Sequence, residues 1–272
     1  MTIGEALKKE RLRLGLTQEE MVQGVIHKGH YSKIERGIEG ISAESLFKIL
    51  FAHQIDLDDF LTLIKDQYCT KQQLEEEKIE DRVMRAFNSA NKHDIEDALN
   101  DVIATNNNIF KYRYIVAVAY FRGQLNELSP NFKNKVINEF ISRNNWVESV
   151  DLLRLFGNCI QIFNCEQLDN FMHQLLKYYT KDQAFSEKMI ERVAMICNNY
   201  LYLCYFENIS GKNIKNCLDY LHNLDNHSHF MFYKIAQKFY EYLFAGEKEK
   251  AKTIKDQLVS WGFNDKVASW KI

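Results

Sequence analysis

Residues 16–37 read LTQEEMVQGVIHKGHYSKIERG and contain two short amphipathic segments separated by a glycine-containing turn. Thr17 is suited to begin the first segment, because a threonine hydroxyl can accept hydrogen bonds from the free amides of a helix start. Glu20, three residues further on, completes a capping box. The pattern predicts a short helix from about Gln18 to Gln23 that ends at Gly24.

A second helix is predicted from about Lys28 to Arg36, with Gly37 in the left-handed conformation that often follows a helix. Tyr31 and Ile34 are three residues apart and are expected to face the core. The remaining side chains point outward and are polar and partly cationic; they are Lys28, His30, Ser32 and Lys33. Two helices in this arrangement predict a helix-turn-helix whose second helix lies in the DNA major groove. An ordinary helical hairpin with no DNA role is the alternative.

Three further amphipathic segments complete this predicted domain, which spans residues 1–65. The first has an apolar face from Ile3 to Leu14, and the others cover Ser42–Phe51 and Leu57–Ile64. The formal net charge of the chain is −2, which is unusual for a nucleic-acid-binding protein. Residues 1–36, however, contain seven Lys or Arg and five Glu, so this part alone is slightly basic.

The rest of the chain is expected to be helical as well, because one proline and eleven glycines in 272 residues leave few turn-forming residues. Residues 66–78 are interpreted as a junction and residues 79–272 as a helical repeat domain. Helical patterns recur there in pairs, at 79–90 with 94–106, 109–123 with 130–144, 146–163 with 165–179, 184–208 with 211–224, and 227–245 with 247–261. The predicted fold is therefore all-α, with a five-helix domain followed by an α-solenoid of about five hairpins.

Several kinds of site are not predicted. The six cysteines form no CxxC pair, and His222, His227 and His229 are accompanied only by Asp219 and Asp225, so no metal site is expected. No phosphate-binding glycine loop, GxSxG or HExxH motif occurs, so we expect the protein to have no catalytic residues and no cofactor. The chain also lacks an apolar stretch of membrane-spanning length or a signal-peptide pattern, so a reduced, cytoplasmic protein is expected.

Residues 3–64 resemble the Cro/C1-type helix-turn-helix of the XRE family, and the stretch from Thr17 to Gly37 resembles the Rgg/GadR/MutR regulators. In those regulators a short "GII" turn precedes a helix that ends in a serine, a basic residue, a hydrophobic residue and ERG. This chain has GVI at Gly24–Ile26 and SKIERG at Ser32–Gly37. It has His27 where the family usually has a serine N-cap.

The resemblance implies which residues contact DNA. Gln18 would contact a phosphate from the start of the predicted Gln18–Gln23 helix. The next helix would meet base edges or nearby phosphates through Lys28, Gly29, His30 and Lys33. Arg11 and Arg36 would flank this surface, although Arg36 and Glu35 can instead pair within the domain.

The segment Trp146–Asn164 contains LFGN and resembles the central element of the same family. Arg154 and Asn158 lie four residues apart on one helix face, where an amide can hold a peptide backbone and a guanidinium can pair with a carboxylate. Asn198 and Tyr202 provide a similar mixture on a later helix. These four residues are the predicted peptide-binding residues. The alternative is that the asparagines stabilise contacts between helices.

The resemblance therefore implies a homodimeric, sequence-specific transcription regulator that acts in quorum sensing. Its partners would be pseudo-palindromic promoter DNA and a short hydrophobic signalling peptide, bound on the concave face of a tetratricopeptide-like domain. The tetratricopeptide consensus itself is absent. Two alternatives stay open: a helix-turn-helix regulator whose repeats dock a protein partner, and a helical scaffold that does not bind DNA.

Overall fold

The computed structural model describes residues 1–89, 91–181 and 183–272, and every regular element in these residues is helical. This confirms the all-α prediction. The helices of the described residues are α1 (Ile3–Arg13), α2 (Gln18–Val22), α3 (Lys28–Glu35), α4 (Ala43–Ala52), α5 (Leu57–Tyr68), α6 (Lys71–Ser89), α7 (Lys92–Ala104), α8 (Asn108–Phe121), α9 (Pro130–Ile141), α10 (Val150–Cys159), α11 (Cys165–Tyr179), α12 (Glu187–Phe206), α13 (Ile214–His222), α14 (Met231–Phe244), α15 (Lys248–Ser260) and α16 (Asn264–Val267). In the described part of the chain none of them is long and apolar enough to cross a bilayer.

The chain separates into two compact units, Met1–Asn88 and Ser89–Ile272. The segment that the sequence suggested as a junction, residues 66–78, is divided between the end of α5, a break at residues 69–70 and the first turns of α6. The functional division into a DNA-binding domain over 1–65 and a peptide-sensing domain over 79–272 remains a prediction.

The N-terminal unit has its own apolar core, formed by side chains of α1 to α5. The buried members of this core are Ala6, Leu7, Met21, Val22, Tyr31, Ile34, Ile49, Leu50, Ile55, Phe60 and Ile64. Helix α1 packs closely on α3, and a Cβ placed on Gly4 would overlap the carbonyl oxygen of Ile34. The two helices can therefore approach this closely only because residue 4 has no side chain.

The predicted capping box at the start of α2 is confirmed. The Thr17 hydroxyl accepts a hydrogen bond from the amide of Glu20 (3.3 Å), and the Glu20 carboxylate accepts one from the amide of Thr17 (2.7 Å). Helix α2 ends one residue earlier than predicted, because Gln23 (φ 44°) and Gly24 (φ 79°) both adopt the left-handed conformation. Gly37 is left-handed after α3, as predicted (φ 71°).

The C-terminal unit is a stack of helices with a regular neighbour pattern. Helix α8 packs on α10, α10 on α12 and α12 on α14, while α13 and α15 pack beside their sequence neighbours. This confirms the prediction of a helical repeat. Several helices are shorter than predicted, because the segments at 146–148, 160–162 and 228–230 form short 3₁₀ turns instead of continuing the helices.

An aromatic cluster forms the centre of this unit. The rings of Phe140, Trp146, Phe156, Phe163 and Phe171 pack together, with contacting centroids 5.2–5.9 Å apart and mostly edge-to-face. Such pairs each add about 0.5–1.5 kcal/mol to the stability that burial alone provides. The cluster joins α9, α10 and α11 with the turns that precede and follow α10.

A buried polar network joins α11, α12 and the start of α13. The Tyr200 hydroxyl donates to Asp169 Oδ1 (2.6 Å) and accepts from the amide of Asn213 (3.1 Å), while the amide of Lys212 donates to the same Asp169 oxygen (3.0 Å). Burial raises the pKa of Tyr200, and the hydrogen bond to Asp169 raises it further, so this phenol stays protonated and remains a donor. Gly211 lies against Tyr200, where no side chain has room.

The six cysteines are free thiols in very different environments. Cys159, Cys197, Cys204 and Cys217 are buried, Cys69 is half-buried and Cys165 is exposed. Burial raises the pKa of Cys204 to about 12, and it also raises the pKa of Cys159. These two buried thiols therefore stay protonated and chemically quiet at neutral pH.

Candidate functional site

Helices α2 and α3 pack together at the surface of the N-terminal unit and form a helix-turn-helix. Met21, Val22, Tyr31 and Ile34 are buried, as predicted, so the opposite face of α3 is turned to solvent. The predicted DNA-binding residues on and after α3 are accessible: Lys28, Gly29, Lys33 and Arg36 are exposed and His30 is partly exposed.

Arg11 and Gln18 belong to a different environment, since both hydrogen-bond to Glu35. Arg11 donates from Nε to Glu35 Oε1 (2.6 Å) and from Nη2 to Oε2 (3.1 Å), and Gln18 Nε2 donates to the same Oε2 (2.8 Å). The Arg11 side chain is only 12% exposed. Burial would raise the pKa of Glu35, but the hydrogen bonds from Arg11 and Gln18 outweigh it and hold the pKa below its ordinary value. The three side chains tie α1, α2 and α3 together, which agrees with the alternative of pairing for Glu35.

The cations of α3 have acidic neighbours that sequence reasoning did not identify. Lys33 Nζ lies 2.6 Å from a carboxylate oxygen of Glu39, and His30 Nε2 lies 3.3 Å from the other oxygen. Lys28 Nζ lies 3.6 Å from Glu19. Exposed pairs of this kind contribute about 1 kcal/mol or less, so a DNA phosphate can replace the carboxylate.

The start of α3 has an unusual cap. His27 occupies the N-cap position with extended backbone angles, but its side chain makes no capping hydrogen bond. A serine at this position would accept a hydrogen bond from the first turn. Arg36 occupies the other end, where its Nε donates to the carbonyl oxygen of Ser32 (3.2 Å), so part of its guanidinium supports the end of α3.

In the C-terminal unit, predicted peptide-binding residues lie on α10 and α12, in the layer that α8, α10, α12 and α14 form. Asn158 Oδ1 accepts a hydrogen bond from Arg113 Nε of α8 (3.4 Å), and Asn199 Nδ2 donates to the carbonyl oxygen of Gly157 (3.2 Å). Tyr202 hydrogen-bonds to Tyr120. Burial is the main cause that raises the pKa of Tyr120 to about 12, and this hydrogen bond is the second. Polar contacts thus link α8, α10 and α12.

Arg154 and Asn198 differ in their surroundings. Arg154 is partly exposed, and its guanidinium makes no ion pair with the side chains that the structure describes. Asn198 Oδ1 is buried and finds no hydrogen-bond donor within the described residues. Two residues of α8 that the sequence did not single out lie beside predicted residues: Arg113 beside Asn158 of α10, and Tyr120 beside Tyr202 of α12. Only the packing of helices reveals that proximity.

The protein thus belongs to the class of helical proteins with an N-terminal helix-turn-helix and a C-terminal helical repeat. The family model described as "Helix-turn-helix" matches residues 7–60. No curated protein sequence matches the chain.

Solved structures match it over nearly its whole length. A proposed transcriptional regulator from Listeria monocytogenes EGD-e is 18% identical, with a TM-score of 0.75 over 98% of this chain and 94% of that one. The SHP pheromone receptor Rgg2 of Streptococcus dysgalactiae is 16% identical, with a TM-score of 0.71 over 99% and 97%. PrgX in complex with cCF10 is 16% identical, with a TM-score of 0.67 over 98% and 96%. The predicted helix-turn-helix is therefore confirmed, and the fold of the whole chain is that of Rgg2 and PrgX.

Proposed function

We propose that this protein is a sequence-specific transcription regulator of the Rgg type, in which a peptide bound by the helical repeat controls DNA binding. The observation that carries the proposal is the exposed, cationic face of α3 within a helix-turn-helix. We further propose that it is a cytoplasmic homodimer without enzymatic activity, and that its two-fold symmetry matches a pseudo-palindromic operator.

In this proposal, α3 enters the major groove. Lys28, His30 and Lys33 contact base edges or phosphates, and Gly29 lets the DNA backbone approach because no side chain projects there. Arg11 acts mainly by positioning α1 against α3, since its donors already bind Glu35 and the carbonyl oxygen of Leu16. Gln18 uses one amide hydrogen on Glu35 and keeps the other for a phosphate. Arg36 reaches the flanking backbone.

The DNA contact is tested by gel shift with the gene's own upstream promoter at low and high salt. Replacing Lys28, His30 and Lys33 together by alanine should abolish the shift and leave the circular-dichroism spectrum unchanged. Lys48→Ala is the matched control, because Lys48 is an exposed lysine of α4 that pairs with Glu44. A shift that survives the triple substitution would reject α3 as the reading helix, and no shift for the unaltered protein would favour a scaffold.

The proposed peptide site is the strip that joins α8, α10 and α12. Arg154 has a partly exposed guanidinium that suits a peptide carboxylate, and the amide of Asn158 lies one helical turn away. Tyr202 adds a partly exposed aromatic surface with a polar end. The side-chain oxygen of Asn198 is buried and has no hydrogen-bond donor among the described residues. In the proposed complex a backbone N–H of the peptide donates to it.

Peptide binding is tested by calorimetry of the full-length protein with short hydrophobic peptides encoded beside the gene. Binding should weaken in Arg154→Ala and in Asn158→Ala. Arg143→Ala is the control, since Arg143 is an exposed arginine at the end of α9 that pairs with Glu139. Failure of every candidate peptide to bind would favour a repeat that docks a protein partner.

Coupling between the two sites is the remaining element of the proposal. Coupling free energies of this kind are usually about 1–3 kcal/mol, which changes promoter affinity about 5- to 150-fold. The measurement is the promoter affinity with and without saturating peptide. Equal promoter affinities with and without peptide would show that peptide binding does not regulate DNA binding.

A further inference from the structure

The structure brings together two histidines and a carboxylate from distant parts of the chain. Glu187 is the first residue of α12, whereas His227 and His229 lie in the segment between α13 and α14. His227 Nδ1 lies 2.9 Å from Glu187 Oε1, and His229 Nε2 lies 3.6 Å from Glu187 Oε2. One potential ligand atom from each residue lies within 4.8 Å of the other two.

These spacings suit a divalent transition metal. A tetrahedral zinc ion with bonds of about 2.0–2.1 Å places its ligand atoms about 3.4 Å apart. The two measured His–Glu distances bracket that value, so small rotations of exposed side chains are enough to close the site. Neutral imidazole with carboxylate is a ligand set that zinc, nickel and copper accept. The three residues are exposed, which leaves a fourth position for water.

Both imidazole rings lie near the ring of Phe230. The ring of His229 lies against Phe230, with centroids 4.0 Å apart, and Phe230 itself is fully buried. The ring of His227 is nearly parallel to that of Phe230, at an interplanar angle of 11°. Glu187 sits in the first turn of α12, and its two carboxylate oxygens lie next to the two rings.

We propose that Glu187, His227 and His229 form a surface site for a zinc-class divalent cation. The bound ion adds a link between the start of α12 and the segment between α13 and α14, where the side chains otherwise meet through exposed His–Glu contacts. Sequence reasoning predicted no metal here because it considered His222, Asp219 and Asp225 as partners. The ligand that completes the group, Glu187, is forty residues from His227 in the sequence.

The site is tested by isothermal titration of the full-length, metal-free protein with zinc chloride at neutral pH. One equivalent should bind and should raise the thermal unfolding midpoint, because the assembled site exists only in the folded protein. Glu187→Gln and His229→Gln should each remove this binding step.

Two control variants separate this site from other metal ligands. His222→Gln removes an exposed histidine at the end of α13, and Cys165→Ser removes the exposed thiol. Both should keep the one-equivalent step. The proposal is overturned if no zinc binds, if His229→Gln and Glu187→Gln bind as the unaltered protein does, or if the step disappears in Cys165→Ser. All four substitutions are at exposed positions, and circular dichroism checks that each variant is folded.

Discussion

The two units of this protein hold their helices together in different ways. The N-terminal unit has a small apolar core, and its helices α1, α2 and α3 are joined by the hydrogen-bonded side chains of Arg11, Gln18 and Glu35. The C-terminal unit has a much larger core with an aromatic centre around Phe140 and Trp146. The smaller unit therefore depends on a few specific polar and backbone contacts, whereas the larger one depends on extensive packing.

This contrast predicts that the units respond to different perturbations. All three tryptophans, Trp146, Trp261 and Trp270, lie in the C-terminal unit. Tryptophan fluorescence therefore reports that unit alone, while circular dichroism reports helices of both. The two signals make it possible to assign an effect to one unit.

The largest effect is expected from Phe140→Ala. Phe140 is 2% exposed and contacts four other aromatic rings, so its removal leaves a cavity at the centre of the larger core. Substitutions of this kind cost about 3–5 kcal/mol. The fluorescence transition in urea should move to lower concentration. An unchanged transition would show that the aromatic cluster does not stabilise the C-terminal unit.

Gly4→Ala should have a comparable but somewhat smaller effect on the N-terminal unit. The added Cβ meets the backbone of Ile34, which cannot rotate away, and overpacking of this kind costs about 1–3 kcal/mol. Circular dichroism in urea should show an earlier loss of helix, without a change in the tryptophan signal.

The matched control for Gly4→Ala is Gly29→Ala. Gly29 lies in α3 with open space around its Cβ position, so alanine should stabilise the helix by about 0.5–1 kcal/mol. If both variants lower stability equally, the close approach of α1 to α3 is not the cause. If the fluorescence transition also moves with Gly4→Ala, the units do not unfold separately.

Acid should weaken the N-terminal unit through Glu35. The pKa of Glu35 is lowered in the folded state, so its ionised form contributes stability that is complete above its ordinary pKa of 4.5. That stability is lost as the pH falls from 4.5 to below the pKa that Glu35 has in the folded protein. Helix content in moderate urea should decrease over this range, and the decrease should be smaller in Glu35→Gln. An identical loss of helix with falling pH in both proteins would show that Glu35 is not responsible for the acid sensitivity.

The smallest effect is expected from Glu39→Gln at the proposed DNA-contacting surface of α3. The substitution removes the anion beside His30 and Lys33, and an exposed pair contributes about 1 kcal/mol or less, so promoter affinity should rise about fivefold at most. Glu44→Gln is the control, because Glu44 pairs with Lys48 on α4. Equal affinity of Glu39→Gln and the unaltered protein, at low salt, would contradict the proposed position of α3 on DNA.

Local sequence signals were sufficient to predict much of the N-terminal fold. The Thr17–Glu20 capping box, Gly37 and the spacing of Tyr31 and Ile34 each act within a few residues, so their meaning is readable without tertiary structure. The left-handed conformation of Gln23 was missed, because residues other than glycine seldom adopt it.

The sites were less accessible to sequence reasoning, because their contacts join residues that are far apart in the chain. The sequence allowed Glu35 to pair within the domain, and it does so with Arg11, a residue that the resemblance placed beside the DNA. Asn158 was selected by its position in LFGN, whereas Arg113 lies forty-five residues before it and has no local motif. Glu187 beside His227 is a third example of a contact that only helix packing creates.

The distribution of thiols gives this protein a built-in pair of attachment points. Cys69 lies in the N-terminal unit and Cys165 in the C-terminal unit, while the other four cysteines are shielded inside the latter. Maleimide dyes should therefore react first with Cys165 and then with Cys69. Energy transfer between the two dyes would report, without any engineered cysteine, whether a ligand changes the separation of the units in solution.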